Sequence, residues 1–241
     1  MTSWEFPVHD PVDLQVRVHA GSVRVLAVPT QMATVTLDGS EGLLDSTRVE
    51  FDHGALSVVT PDRVGLRGFG SADVTVEVPH GSSCLVHTAS ADVSCTGELS
   101  ALDVHTASGE VSAERVSGLA RVVTASGDVQ VGATSEARVE TASGDVRLEQ
   151  ADGAVTVRTA SGDVWIAQTS GGRAEVKSSS GDISVAVARG IGVYLDLSSL
   201  SGTVSSELEP AEENSGADMT MQCRTISGDI QVLRAAQPAA R

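Results

Sequence analysis

The chain has 241 residues and a formal charge of −16, so it lacks the basic footprint that a duplex-binding protein needs, and purely electrostatic attachment to anionic lipid is disfavoured. Aromatic side chains are scarce, with Trp 2, Tyr 1 and Phe 3, so Val and Ala must build the core in thin layers. No stretch approaches the roughly 20 apolar residues of a membrane helix, and the start MTSWEFPVHDPVDLQV lacks the basic and apolar runs of a signal peptide.

These features predict a cytoplasmic protein, displayed on a surface only if a leader has been removed. The segments VRVHAGSV, residues 16–23, and VEFDHGAL, residues 49–56, both fit a template, V-x-T-A-S-G-D-V, that recurs further along the chain. Residues 12–80 are therefore expected to form irregular, longer coils of the same architecture as the rest. The segment TPDRVGLRGFGSAD, residues 60–73, interrupts them and is Gly-rich and locally basic. Its GLRGFG resembles a phosphate loop, but no helix pattern follows to supply the anion site. The exposed apolar pair Leu66 and Phe69 marks it instead as a contact point for a protein partner.

The regular repeats occupy 81–234. Aligned on the Gly of Ser-Gly-Asp, one column holds Ala91, Gly109, Gly127, Gly144, Gly162, Gly181, Gly202 and Gly228, at intervals of 18, 18, 17, 18, 19, 21 and 26 residues. A second column, two positions before the Thr, runs Val86, Val104, Val122, Val139, Val157, Val176, Leu197 and Cys223. A third, just after the Asp, runs Val93, Val111, Val129, Val146, Val164, Ile183, Val204 and Ile230. Apolar positions two apart are strands, and repetition at this period predicts an all-β fold: a single parallel β-solenoid of roughly 18-residue coils over 1–234. Each coil reads as strand, Ser-Gly corner, strand and a looser second corner, with successive coils about 4.8 Å apart. ELEPAEENSGADM, residues 207–219, has the acidic composition of a loop, and the tail over 235–241 is expected to be disordered.

The recurrent Ser-Gly-Asp is first a corner: Gly supplies the bend, while Ser and Asp bond backbone groups that the bend leaves unpaired. A metal reading competes with this. Asp128, Asp145, Asp163 and Asp182, with Asp92 and Glu110 before them, would stack carboxylates about 5 Å apart, and a hard cation such as calcium would relieve the repulsion. The calcium β-roll needs a Gly-rich ligand loop at every corner, however, and here only alternate corners carry Gly-Asp.

His87 and His105 hold equivalent outward positions on adjacent coils, within reach of one metal, but Val123, Glu140, Arg158 and Lys177 follow in that column and add no ligand. Glu140 beside Arg158 is expected to be a surface ion pair of little energetic weight. Cys84, Cys95 and Cys223 lie at inward positions as small apolar side chains, and their odd number and irregular spacing give no disulfide framework. No nucleophile elbow, zinc-protease motif or P-loop occurs, and no cofactor is expected. A polysaccharide-active β-helix is the leading enzyme alternative, and it lacks the aromatic platform such sites use, Trp165 being the only Trp in the regular coils. The final repeat, CRTISGDIQVLRA, has no evident cap. Leu200 and Ile226 replace the Ala of earlier corners, so a protein partner or self-association is expected at that end, through Leu200, Ile226 and Leu233, with Leu66 and Phe69 as a second contact.

VTVEVPHGSSCLVHTASADV followed by serial TASGDV resembles the bacterial putative-adhesin family of β-strand-repeat proteins, and VGLRGFGSADVTVEVP is similar to the Gly-rich loop of its actinobacterial members. The resemblance runs from about Val12 to Leu233. It implies a single-domain β-solenoid, no catalytic activity, and an association with the cell envelope and envelope-stress responses, and it supplies no functional residue set. The expected function is thus non-enzymatic binding or scaffolding, against a polysaccharide-active β-helix or a calcium-dependent β-roll-like adhesin.

Overall fold

Alternation of buried and exposed residues puts most of the chain into strands, and the fold is all-β. The computed structural model describes residues 1–61, 70–208 and 218–236, so the expected contacts at Leu66 and Phe69 lie outside the described residues. Its residues divide into two compact units, 1–127 and 128–241. No helix among the described residues is long and apolar enough to cross a membrane.

The first unit contains β1 (Thr2–Pro7), β2 (Asp13–Val28), β3 (Met32–Gly39), helix α1 (Glu41–Ser46), β4 (Arg48–Asp52), β5 (Ala55–Val59), β6 (Ser71–Pro79), β7 (Ser83–Leu99), β8 (Ala101–His105) and β9 (Val111–Ser126). Strand β2 lies parallel to β7 with Val16 beside Val86, Gly21 beside Ala91 and Val23 beside Val93, the register that the template over 16–23 predicts. On its other side β2 pairs in parallel with β5 and β6, so this early strand is enclosed between later ones.

The second template match, over 49–56, folds differently. Strands β4 and β5 form an antiparallel hairpin, turned at His53 (φ 46°) and Gly54 (φ 83°). The hairpin turn and the Gly-containing corners of the repeats both use a residue with positive φ, so Gly54 satisfied the template for a different reason. Strand β3 lies antiparallel on β6, and β1 antiparallel on β3. Within the irregular coils expected over 12–80, β3 and β4 therefore enter antiparallel pairings, while β5 and β6 each also keep a parallel pairing with β2.

The second unit contains β10 (Val129–Ser143), β11 (Val146–Ala151), β12 (Val155–Ser161), β13 (Val164–Thr169), β14 (Gly172–Lys177), β15 (Ile183–Val187), β16 (Val193–Ser201), β17 (Val204–Ser206), β18 (Met219–Ser227) and β19 (Ile230–Arg234). Its pairings are parallel, and they bring the sequence columns into physical contact. Val129 lies beside Val146, Val146 beside Val164 and Val164 beside Ile183. Val139, Val157 and Val176 follow the same rule on the other strands. These side chains are at most 1 % exposed, and their burial supplies the main driving force of the unit.

The order of layers departs from chain order near the C-terminus. Strands β14 and β15 pair with β18 and β19, and β16 and β17 lie beyond these, on the far side of β18 and β19. The last repeat of the sequence is therefore enclosed, and the outermost layer is Val193–Ser206. Arg234 fixes the crossing: its Nη1 donates to the carbonyls of Ala188 and Ile191 at 3.1 and 3.0 Å, holding the segment that steps over a layer. The expectation that the chain-final coil is the open end is corrected accordingly.

Candidate functional site

Each recurrent Asp acts on the layer that follows it. The Asp145 amide donates to Asp128 Oδ1 at 2.9 Å, the Asp163 amide to Asp145 Oδ1 at 2.8 Å, and the Asp182 amide to Asp163 Oδ1 at 2.8 Å. The series then follows space rather than sequence, with Asp229 donating to Asp182 Oδ1 at 2.8 Å and Thr203 to Asp229 Oδ1 at 2.7 Å. In the first unit the Glu110 amide donates to Asp92 Oδ1 at 3.0 Å. At a corner the backbone turns out of the strand ladder, and the carboxylate supplies the acceptor that the bend removes. The outermost layer has Ser-Gly-Thr instead of Ser-Gly-Asp. No described amide stacks beyond Thr203, so the acceptor has no use there.

The other corner residues are equally engaged. Gly162 has φ +139°, and a Cβ there would run into the Gly144 carbonyl, 2.7 Å from its carbon. Gly181 stands in the same relation to Gly162. At these Gly positions the corners thus stack backbone on backbone with no room for a side chain. Thr106, Thr124, Thr141 and Thr225 turn inward and donate to the carbonyl of the Ser two residues on, at 2.9, 3.1, 3.2 and 3.3 Å. The expected metal candidates Asp128, Asp145, Asp163 and Asp182 are brought together as a ladder, each with an oxygen already committed to an amide. Among the described residues no group of three or more His, Cys, Asp or Glu side chains is placed to hold a metal ion.

His87 and His105 stack as their column predicts, with ring centroids 5.0 Å apart and planes 19° from parallel. His105 Nε2 lies 3.0 Å from Asp103 Oδ1, and Arg121 reaches the other Asp103 oxygen at 3.8 Å. Burial holds the His87 pKa below the ordinary imidazole value, reinforced by the charges of His105 and Arg17 and opposed by Asp103. Beside this stack a shallow depression of about 280 Å³ is lined by Leu85, Asp103, Leu119 and Arg121 among others.

In the second unit Arg138 bonds Glu140 at 2.9 Å, while Arg158, Arg173 and Lys177 converge on Glu175 at 3.4, 3.8 and 2.6 Å. The Lys177 bond is the main cause of a lowered Glu175 pKa. Glu140 and Arg158 are register neighbours, as their shared column predicts, and Arg158 also reaches forward to Glu175. Trp165 carries the Arg147 guanidinium 5.4 Å above its ring, a cation–π contact on the outer face. The thiols of Cys84, Cys95 and Cys223 are buried, and burial pushes Cys223 up to about 12.

The outermost layer differs from every layer beneath it. Val204 is 43 % exposed, whereas Ile230 and Ile183, its counterparts below, are at most 1 % exposed. Leu195 and Leu197 are only half-buried, and Tyr194 and Leu200 project outward at 63 % and 83 % exposure. Of the residues expected at the contact, Leu200 lies in this layer. Ile226, 56 % exposed, and the half-buried Leu233 lie one layer below it. Sequence reasoning missed Tyr194 and Val204, although the lengthened intervals of 21 and 26 residues around Gly202 signalled that the chain crosses layers there.

The family model of the Toastrack DUF4097 domain matches residues 12–233. The chain belongs to this family. No curated protein matches it. Among solved structures, the Toastrack chain is similar to a "putative adhesin" of Bacteroides fragilis, at 13 % identity and TM-score 0.58, with 96 % of each chain covered. A "putative adhesin" of Parabacteroides merdae matches at 11 % identity and TM-score 0.48, covering 97 % of this chain and 96 % of its own. A "putative lipid binding protein" of Parabacteroides distasonis matches at 14 % identity and TM-score 0.44, with the same coverage. At these identities the likeness is one of fold. The Toastrack family accords with the resemblance carried by the serial TASGDV motif.

Proposed function

We propose that this Toastrack chain is a non-enzymatic binding or scaffold protein, built as a parallel β-solenoid and serving the bacterial cell envelope. The observation that carries this reading is the use made of the repeat. The recurrent Asp side chains take the amide of the adjacent layer, the recurrent Gly allows backbone to stack on backbone, and the buried Thr closes the corner on itself. The repeated residues therefore build a frame. Variation is left to outward positions, where binding surfaces are made. Registers such as Val129 to Val146 and Val146 to Val164, offsets of 17 and 18 residues, support stacked coils close to the period in the sequence.

The name of the Bacteroides fragilis neighbour points towards adhesion, and the resemblance of the TASGDV repeats to envelope-associated proteins points to the same compartment. The contact surface in this reading is the outermost layer, Val193–Ser206, with its exposed Tyr194, Leu200 and Val204. The test pairs two experiments. Incubation with a panel of bacterial and plant glycans is expected to release no reducing ends, and reproducible release would overturn the scaffold reading in favour of a polysaccharide-active β-helix. Affinity capture from native lysate is expected to recover an envelope or regulatory protein, in amounts that fall when Tyr194 and Leu200 become Lys.

A further inference from the structure

We propose that two copies of the chain pair edge to edge through β16, antiparallel about a two-fold axis at Leu197; this rests on the reading of the outermost layer as a protein-binding surface and names the partner. Among the described residues, β16 pairs only with β18, and β17 only with β19. Each therefore presents a row of backbone donors and acceptors on its free side. Natural edge strands blunt that hazard with Lys, Pro, bulges or charge. The stretch VYLDLSSLSGTVSS, Val193 to Ser206, has no Lys, no Pro and one charged residue, Asp196. The half-buried Leu195 and Leu197 and the 43 % exposed Val204 show the core continuing to this edge without a lid among the described residues.

Charge and strand order select the occupant. The chain carries −16 overall, so most of its surface repels a second copy, and this nearly neutral edge is where two copies meet at least cost. Pairing of β16 with an outer strand of the first unit of another copy is opposed by the composition of those strands. In the first unit β5 is covered by antiparallel β4, with Arg48, Glu50 and Asp52 in five residues, and β6 by antiparallel β3 and then β1, with Glu5 and Pro7. Strand β4 thus carries three charges and β1 a charge and a proline, where β16 carries only Asp196 and no proline. The remaining solution is the same edge on both copies, an isologous contact that closes as a dimer.

The sequence of β16 is self-complementary in that geometry. Centring on Leu197 places Tyr194 opposite Leu200 of the second copy and Asp196 opposite Ser198. The outward apolar residues then cover each other, and the charge faces a hydroxyl. Moving the centre to Asp196 would set two carboxylates face to face. Moving it to Ser198 would leave Tyr194 opposite Gly202.

Light scattering over a concentration series tests the pairing. The intact protein is expected to approach twice the chain mass. Tyr194→Lys with Leu200→Lys is expected to restore the single-chain mass with an unchanged circular dichroism spectrum, while Leu119→Lys, an exposed position in β9, stays dimeric. Because the native thiols are buried, Tyr194→Cys with Leu200→Cys is expected to cross-link as a covalent dimer on oxidation, and neither single variant to do so. A monomer at every concentration, a dimer that survives the double Lys variant, growth beyond the dimer, or a single-Cys variant that cross-links as well as the double would overturn the proposal. A monomer that still captures a partner, lost in the double Lys variant, removes the second copy and leaves the binding reading standing. A monomer that captures nothing removes both.

Discussion

Asp145 offers a direct measure of what the corner carboxylate contributes. It accepts the Asp163 amide at 2.8 Å and stacks between Asp128 and Asp163 in the ladder. Two effects oppose each other there. The hydrogen bond has an ionised acceptor, but the site is exposed, which places its net worth near the lower end of the range, about 1–1.5 kcal/mol. Neighbouring carboxylates about 5 Å apart repel by about 1 kcal/mol per pair at the dielectric of water. Asp145→Asn removes the charge and keeps an oxygen acceptor, whereas Asp145→Ala removes both. Asn is therefore expected to melt within about 0.5 kcal/mol of the parent, since its weaker bond is offset by relief of repulsion. Ala is expected to fall about 1 kcal/mol below Asn, or about 2–4 °C in melting temperature. Both differences should persist in chelator and be insensitive to added calcium, read by calorimetry with urea denaturation as a check. If Ala and Asn melt together, the ladder bond contributes nothing and the account of the corner fails. A rise of many degrees with calcium, abolished in Asp145→Asn with Asp163→Asn, would instead make the corner a cation site.

Gly162→Ala should destabilise by at least about 2 kcal/mol in urea, because its Cβ meets backbone that cannot yield, whereas Gly190→Ala meets nothing within 4 Å and should cost about 1 kcal/mol for its positive φ alone. Equal losses would refute the stacking argument. The folded pKa of His87 lies below its ordinary 6.5, so the unfolded chain binds the proton more readily, and the stability present above pH 6.5 should decline as pH falls through the folded value. His87→Gln should flatten that decline in melts taken across the acid range, and an unaltered profile would assign it elsewhere. With its pKa pushed up to about 12 and its side chain buried, Cys223 should remain silent to a thiol reagent at neutral pH until the protein unfolds. Immediate labelling of the native chain at that site would contradict the enclosed position of β18.

The columns were legible because a stacked layer repeats its environment. Val146 and Val164 do the same work one layer apart, so the same residue type recurs, and period alone identifies the contact. The corner was legible for the same reason, down to the Asp side chain bonding the backbone, whereas the corner Ser takes part through its main-chain carbonyl, which accepts the Thr hydroxyl. The sequence left open which backbone they would reach. The Asp bond goes to the next layer, 17 or 18 residues on, where a local turn was equally compatible with the motif. Gly54 shows the limit from the other side: a residue with positive φ announces a reversal, and the partner strand decides between corner and hairpin.

Layer order was the part least legible, for a physical reason. Layers built to one template present nearly the same upper and lower surfaces, so burial alone scarcely distinguishes a last repeat placed outermost from one placed between two others. What distinguishes them is the residue that an outermost layer no longer needs. An enclosed corner needs its carboxylate to accept the amide above, and Asp182 and Asp229 both do so. Thr203 donates its amide downward and has no carboxylate to offer upward, in keeping with its place in the outermost layer. The exposed Leu200 and Val204 and the charge-poor edge of β16 then lie on that same layer, while the enclosed repeat carries the complete Ser-Gly-Asp. One substitution in a repeated motif thus marks the outermost layer among the described residues, the layer on which the proposed contact surface lies.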